Sequence, residues 1–141
     1  MKTFAIAILV ALLLLSRSAP AAEKHDAAQK QAVAAANAWL ALVDAGKYGE
    51  SWDESAEYLK NAVGKKEFGK SLVAARKPLG KLTSRTVQAA EYQTSLPGAP
   101  DGQYVVIQFK TSFENKRSAV ETVTPMFGKD QRWRVSGYYI R

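Results

Sequence analysis

The sequence predicts an α+β fold in two layers, with three N-terminal helices packed on an antiparallel sheet of about four strands. Apolar residues recur every three or four positions as far as Leu79, which is typical of helices, and every second position beyond it, which is typical of strands. The links between the later segments are short, and this favours antiparallel pairing of consecutive strands.

The first 21 residues are predicted to be a cleaved signal peptide. Lys2 gives a positive start, Phe4–Leu15 is an unbroken apolar run, and Ala19–Ala21 is a small-residue cleavage triplet. The alternative is a membrane anchor, but the run of 12 residues is shorter than the roughly 20 that a spanning helix needs. Residues 22–141 therefore form one predicted domain, periplasmic or secreted, which starts with a polar leader at 22–27 and has no transmembrane segment.

Three helices are predicted between the leader and the sheet. Ala27–Val43 is rich in alanine and free of Gly and Pro, and Gly46 is placed to end this helix in the left-handed conformation. The second helix, Tyr48–Val63, has one apolar and one acidic face. The third, Lys65–Lys77, ends before Pro78, whose ring disfavours helix in the preceding residue.

Four strands follow, at Ser84–Ser95, Gln103–Phe113, Ser118–Phe127 and Arg132–Ile140. Pairing Glu114 with Arg117 and Phe127 with Arg132 across the two tight turns fixes which side chains share a face. The face expected under the helices holds Val105, Ile107, Phe109, Phe113, Val120, Met126, Trp133, Val135 and Tyr139. The opposite face holds Tyr104, Val106, Gln108, Lys110, Glu121, Val123, Arg134, Tyr138 and Ile140. A shift of one residue in either turn would exchange the faces.

Composition excludes several kinds of site. The chain has no cysteine and one histidine, which excludes thiol nucleophiles, disulfides and Cys/His sites for zinc or haem. His25 lies in the polar leader and is expected to be a solvated linker residue. The acidic residues Glu50, Asp53, Glu54 and Glu57 diverge on one helix face and are read as solvated rather than as a cation site. No metal, no cofactor and no nucleic-acid partner is predicted.

Six residues are candidates for a ligand pocket between helices and sheet: Trp39, Asp44, Tyr48, Trp52, Glu121 and Trp133. The aromatic members would line such a pocket, although aromatic residues at helical spacing also form ordinary core. Asp44 either caps the next helix or forms an acid/base pair with Tyr48. Glu121 either pairs with Lys110 beside Tyr138 or, if the register is shifted by one, points into the core as a ligand-polarising group.

Charge is distributed unevenly along the chain. Residues 22–59 carry −4, residues 60–85 carry +7 and residues 86–141 carry +2. The basic stretch is either a solvated helix face or a surface for an anionic envelope lipid or polymer. Candidates for that anionic surface are Lys65, Lys66, Lys70, Arg76 and Lys77.

Several strings of the sequence resemble the bacterial domain-of-unknown-function 4019 family: Trp39–Tyr48 with Ser51 and Trp52, Ser112–Lys116, Glu121–Met126 and Trp133–Tyr139. The resemblance covers nearly all of residues 22–141 and implies no particular activity. The order of helices and then a curved sheet is similar to the NTF2-like, cystatin-like cone. That similarity implies a pocket between helix and sheet, in a superfamily that includes both enzymes and binding modules.

The sequence therefore favours an exported, non-catalytic binding or association module of the cell envelope, whose partner is a small apolar ligand or an anionic envelope component. One alternative is a homodimer through an outward apolar sheet face formed by Tyr104, Val106, Val123, Tyr138 and Ile140. The other is an NTF2-like pocket enzyme, a small hydrolase or isomerase, which would need Asp44, Tyr48 and Glu121.

Overall fold

The computed structural model describes residues 21–141, in which four helices are followed by a four-stranded antiparallel sheet. The helices are α1 (Ala21–Asp44), α2 (Tyr48–Asp53), α3 (Glu57–Ala62) and α4 (Lys65–Arg76), and a 3-10 turn at Lys77–Leu79 follows α4. The strands are β1 (Leu82–Gln93), β2 (Tyr104–Phe113), β3 (Lys116–Phe127) and β4 (Trp133–Ile140), paired in chain order. The predicted α+β fold is confirmed.

The start of the domain differs from the prediction. Helix α1 begins at Ala21, so the predicted polar leader 22–27 is helical, since its Ala, Glu and Lys residues are good helix formers. Residues 1–20 of the predicted signal peptide lie outside the described residues, and its cleavage stays a prediction. Between residues 21 and 141 no helix is long and apolar enough to cross a membrane. Gly46 follows α1 with a φ of 74°, as predicted.

The predicted second helix is split into α2 and α3 because Ser55 and Ala56 make better contacts outside a helix. The Ser55 hydroxyl donates to the Ser51 carbonyl and accepts a hydrogen bond from Trp39 Nε1 at 3.0 Å. Ala56 is extended, and its N–H donates to the Val135 carbonyl at 2.8 Å. This bond ties the start of α3 to the outer edge of β4.

The predicted register is wrong by one residue between β2 and β3. Phe109 pairs with Glu121 rather than with Thr122, because the turn is Glu114–Asn115 and an irregularity follows between Thr111 and Phe113. The two faces of β3 are therefore exchanged. Ala119, Glu121, Val123 and Pro125 are buried, whereas Val120 and Met126, predicted to lie under the helices, are only half-buried.

The predicted pairing of Phe127 with Arg132 is also wrong, because Phe127 pairs with Trp133 and a register shift between Thr124 and Pro125 skips Ser136. Val135 keeps its predicted buried position, whereas the faces are exchanged beyond Ser136. Val123 pairs with Tyr138, whose ring packs against the core, while Tyr139 on the other face is 55% exposed. The outward apolar face predicted for a homodimer is therefore wrong. Val123 is fully buried, and Tyr104 is buried with its hydroxyl bonded to the Pro100 carbonyl in the β1–β2 loop.

The core lies between α1 and the inner face of the sheet. Trp39, Leu40 and Val43 of α1 belong to one buried cluster with Phe68 and Leu72 of α4. The strands contribute Val105, Ile107, Phe109, Val123 and Val135 to the same cluster. Helix α4 and the C-terminal half of β4 lie at one margin of this core, where the polar groups described next are also found.

Candidate functional site

A cluster of buried charges connects two helices to all four strands. Asp44 ends α1, Arg76 ends α4, and Arg85 and Glu121 lie on β1 and β3. Arg76 Nη2 and Arg85 Nη1 each lie 2.7 Å from an oxygen of Asp44, and Arg85 Nε lies 2.7 Å from Glu121 Oε1. The Glu121 side chain is fully buried, and those of Arg76 and Arg85 are 6% and 10% exposed. Two cations thus balance two carboxylates inside the domain.

Two neutral side chains complete the cluster around Glu121. The Thr111 hydroxyl on β2 donates to Glu121 Oε1 at 2.7 Å, and the Tyr138 hydroxyl on β4 donates to Oε2. With the two bonds from Arg85, Glu121 accepts four hydrogen bonds. These four hydrogen bonds use the acceptor positions of both carboxylate oxygens of Glu121.

The cluster shifts the pKa values of its members. Burial would raise the pKa of Asp44, but hydrogen bonds and charge from Arg85 and Arg76 lower it overall. Burial would lower the pKa of Arg85, yet Asp44 and Glu121 raise it. Burial first, and then the negative charge of Glu121, raise the pKa of the Tyr138 hydroxyl. All three shifts favour the protonation states that the hydrogen bonds require.

Arg76 is bonded at only one end of its guanidinium. Nη2 donates to Asp44, whereas Nε and Nη1 are buried without a hydrogen-bond partner among the described residues. The guanidinium lies over the Phe113 ring, 4.9 Å from its centroid, and this contact provides part of the missing stabilisation. Arg76 was predicted on an anionic-binding surface, and that prediction is wrong because the side chain is buried.

A groove of about 590 Å³ lies between α4 and the C-terminal half of β4. We call it the α4–β4 groove. Eight of its eleven lining residues are apolar or aromatic: Val63, Phe68, Leu72, Ala75, Leu79, Tyr138, Tyr139 and Ile140. Ser71, Lys116 and Arg141 supply the polar groups. Tyr138 forms part of the wall and also reaches Glu121, so the groove and the charge cluster share a side chain.

The cations of the groove lie at one end of it. Val120 and Arg141 exchange two backbone hydrogen bonds, which places Arg141 beside the early part of β3. Lys116 begins β3, and the neighbouring Asn115 N–H donates to the Leu79 carbonyl at 2.9 Å. The 3-10 turn after α4 is therefore bonded to the start of β3, and Leu79, Lys116 and Arg141 all line this part of the groove.

A second cavity, of about 480 Å³, lies between α1, α2 and the start of β4. Trp39 and Trp133 line it, together with carboxylates from α2 and two arginines, Arg132 and Arg134. Arg134 forms its ion pair with Asp130, and Asp53 of α2 forms one with Lys65. This cavity is more polar than the α4–β4 groove, and its charges of both signs lie near each other.

The structure separates the six predicted pocket residues. Trp39 and Trp133 line the second cavity, while Tyr48 and Trp52 pack against the core. Asp44 and Glu121 belong to the charge cluster and line neither cavity. The predicted cap is wrong, because α2 starts after Lys47 with no side-chain cap and Asp44 faces two arginines instead. Glu121 does not pair with Lys110, because the register shift turns it into the core.

The remaining predicted residues have ordinary surroundings. Lys65 pairs with Asp53 and Lys70 with Glu67, whereas Lys66 and Lys77 are exposed. His25 lies in α1 rather than in a linker, and its ring stacks on Tyr92 with centroids 4.3 Å apart. Within residues 21–141 no group of three His, Cys, Asp or Glu side chains is arranged to hold a metal ion.

Sequence reasoning missed Arg85, Thr111 and the whole of the α4–β4 groove. The signal that could have found the cluster is the placement of charged residues in the middle of strands, where Arg85 and Glu121 both lie. The groove has no such signal, because its apolar residues look like core residues in the sequence.

Comparison with known protein families gives a match for this chain. The family model described as a protein of unknown function, DUF4019, matches residues 35–138. The chain belongs to this family. The part matched to DUF4019 contains all six residues of the charge cluster and the groove lining from Val63 to Tyr138. No curated protein matches the chain.

Proposed function

We propose that this DUF4019 protein is an exported, non-catalytic binding module of the cell envelope, and that its α4–β4 groove holds an apolar ligand with an anionic group. The observation that carries the proposal is the lining of the groove, which is apolar along its length and has Lys116 and Arg141 at one end. Binding sites for small ligands are typically apolar with a few polar groups that fix the orientation.

The charge of the surrounding segment supports an anionic rather than a cationic ligand. Residues 60–85, which include all of α4, carry a net charge of +7, and +3 remains once Asp44 and Glu121 balance Arg76 and Arg85 and once Glu57 and Asp53 pair with Lys60 and Lys65. Such a field attracts anions toward the groove and speeds their association. The two lining cations would then hold the anionic group, while the apolar wall holds the remainder of the ligand.

The state of the nearest polar groups supports binding without catalysis. The Tyr138 hydroxyl donates to Glu121, and its pKa is raised by burial and by that carboxylate, so it is a poor proton donor. Glu121 itself is fully buried and accepts four hydrogen bonds. General acid or base catalysis needs a group that is held near the substrate and free to exchange a proton.

The test is titration calorimetry of the purified protein with dodecanoate and with dodecyltrimethylammonium, which share the same chain and differ in charge. We expect dodecanoate to bind at least about tenfold more tightly, the equivalent of roughly 1.4 kcal/mol. Lys116→Gln and Arg141→Gln should each reduce that preference.

A matched pair of variants locates the site. Ala74 and Ala75 are neighbouring exposed residues of α4, but only Ala75 lines the groove. Ala75→Trp should fill the groove and abolish dodecanoate binding, and Ala74→Trp should leave it unchanged. Equal affinity for the two amphiphiles, or binding that survives Ala75→Trp, would refute the proposal.

A further inference from the structure

The outer edge of β4 has a regular pattern of free backbone groups. Val120 and Arg141 exchange hydrogen bonds at 2.9 and 3.0 Å, and the register continues without interruption from Glu121–Ile140 to Thr124–Gly137. In an antiparallel ladder, reciprocally bonded pairs alternate with non-bonded pairs. The N–H and C=O groups of Tyr138 and Ile140 therefore point away from β3.

These groups face the α4–β4 groove. β4 is the last strand of the sheet, and both Tyr138 and Ile140 line the groove. The earlier part of the same edge is closed by α3, where Ala56 donates to the Val135 carbonyl. For Tyr138 and Ile140 no such backbone partner occurs among the described residues. An open strand edge beside an apolar wall is a template for another strand.

We infer that the ligand of the α4–β4 groove is an extended peptide segment of a partner protein, which adds to β4 as a fifth strand. This inference rests on the function proposed above. A peptide strand would lie about 4.8 Å from β4 and would pair with the two N–H and two C=O groups of Tyr138 and Ile140. A hydrocarbon chain matches the apolar wall but has no groups that can pair with these four backbone groups.

The side chains that line the α4–β4 groove indicate which residues the peptide should contain. Alternate side chains of a strand point to opposite sides, so one set would pack against Phe68 and Leu72 of α4 and should be apolar. Where the peptide passes Lys116 and Arg141 of the groove, Asp or Glu is favoured, since a carboxylate can accept charge-assisted hydrogen bonds from these cations. A second copy of this chain is disfavoured as the occupant, because it would bring its own positively charged residues 60–85 against those of the first copy.

The experiment compares a short peptide, alternating valine and threonine and ending in two glutamates, with the same peptide N-methylated at the amides that would face β4. Both are titrated into the purified protein by calorimetry. We expect the unmodified peptide to bind and the methylated peptide to bind at least about tenfold more weakly, because its amides can no longer donate. Ala75→Trp should abolish binding, with Ala74→Trp as the control.

Amide hydrogen exchange gives a second, direct measurement. On peptide binding, the amides of Tyr138 and Ile140 should become protected, whereas dodecanoate should leave them unprotected. Equal binding of the two peptides, or no protection at these amides, would refute strand addition. If dodecanoate binds and neither peptide does, strand addition is refuted and the proposed binding function stands. If neither dodecanoate nor peptide binds, both proposals fail.

Discussion

The charge cluster predicts strong coupling between Arg85 and Glu121. Glu121→Gln leaves Arg76 and Arg85 against the single carboxylate of Asp44, and Arg85→Met leaves two carboxylates against the single cation of Arg76. Each single change therefore creates one uncompensated buried charge. Removing one member of a buried ion pair typically costs about 3–5 kcal/mol, and we expect each variant to lose stability in that range.

The double variant restores the balance. With both changes made, one cation and one carboxylate remain, Arg76 and Asp44, whose atoms already lie 2.7 Å apart. We therefore expect the double variant to lose at least about 2 kcal/mol less than the sum of the two single losses, a coupling within the usual range for residues in contact. Both side chains of the tested pair are at least nine-tenths buried, so solvent screening reduces this coupling little.

Urea denaturation followed by tryptophan fluorescence measures all three variants, since Trp39 is buried in the core. The exposed pair Asp53–Lys65 is the control, because both side chains are about half exposed. The corresponding Asp53→Asn and Lys65→Met variants should show coupling of about 1 kcal/mol or less. If the losses at Arg85 and Glu121 were simply additive, or if either single loss were as small as that of the exposed pair, the reasoning would be refuted.

Three further outcomes are expected from the same denaturation assay. Arg85 and Arg76 lower the pKa of Asp44 below its ordinary value of 3.8. The stability that ionised Asp44 contributes should therefore be complete above about pH 4 and should be lost as the pH falls through the lowered pKa. Asp44→Asn should remove this acid dependence of stability. Trp39→Phe should cost about 1–3 kcal/mol, because the indole N–H donates to the Ser51 carbonyl and the Ser55 hydroxyl; a loss below 0.5 kcal/mol would contradict this. Lys66→Ala should change stability by no more than about 0.5 kcal/mol, and a larger loss would mean that this exposed residue has a structural contact.

The elements of the fold could be predicted because they depend on local pattern. The change from helical to strand periodicity near Leu79 gave the order of layers, and Gly46 and Pro78 marked helix ends that the structure reproduces. The break between α2 and α3 could not be found in this way. It depends on Ala56 bonding to Val135, a residue 79 positions later in the chain.

The site could be predicted only in part because it depends on register. The segment Val120–Pro125 has apolar residues at both parities, so its pattern does not say which face is buried. A shift of one residue in the β2–β3 register decides whether the Glu121 side chain faces solvent or points into the core toward Arg85. From the sequence, Glu121 is expected either to pair with Lys110 on the sheet surface or to point into the core. For the core position, the sequence indicates only a role in polarising a ligand. In the structure Glu121 instead accepts four hydrogen bonds within the charge cluster.

The charge cluster also has a consequence for the order of folding. Its ion pairs join residues that are 32, 36 and 41 positions apart, so none of them can form before long segments of chain have closed. A half-assembled cluster would leave charges buried without partners, which makes it a poor nucleus. We therefore expect the helix ends and strands to come together first and the cluster to close late. Changes at Arg85 or Glu121 should then accelerate unfolding far more than they slow refolding.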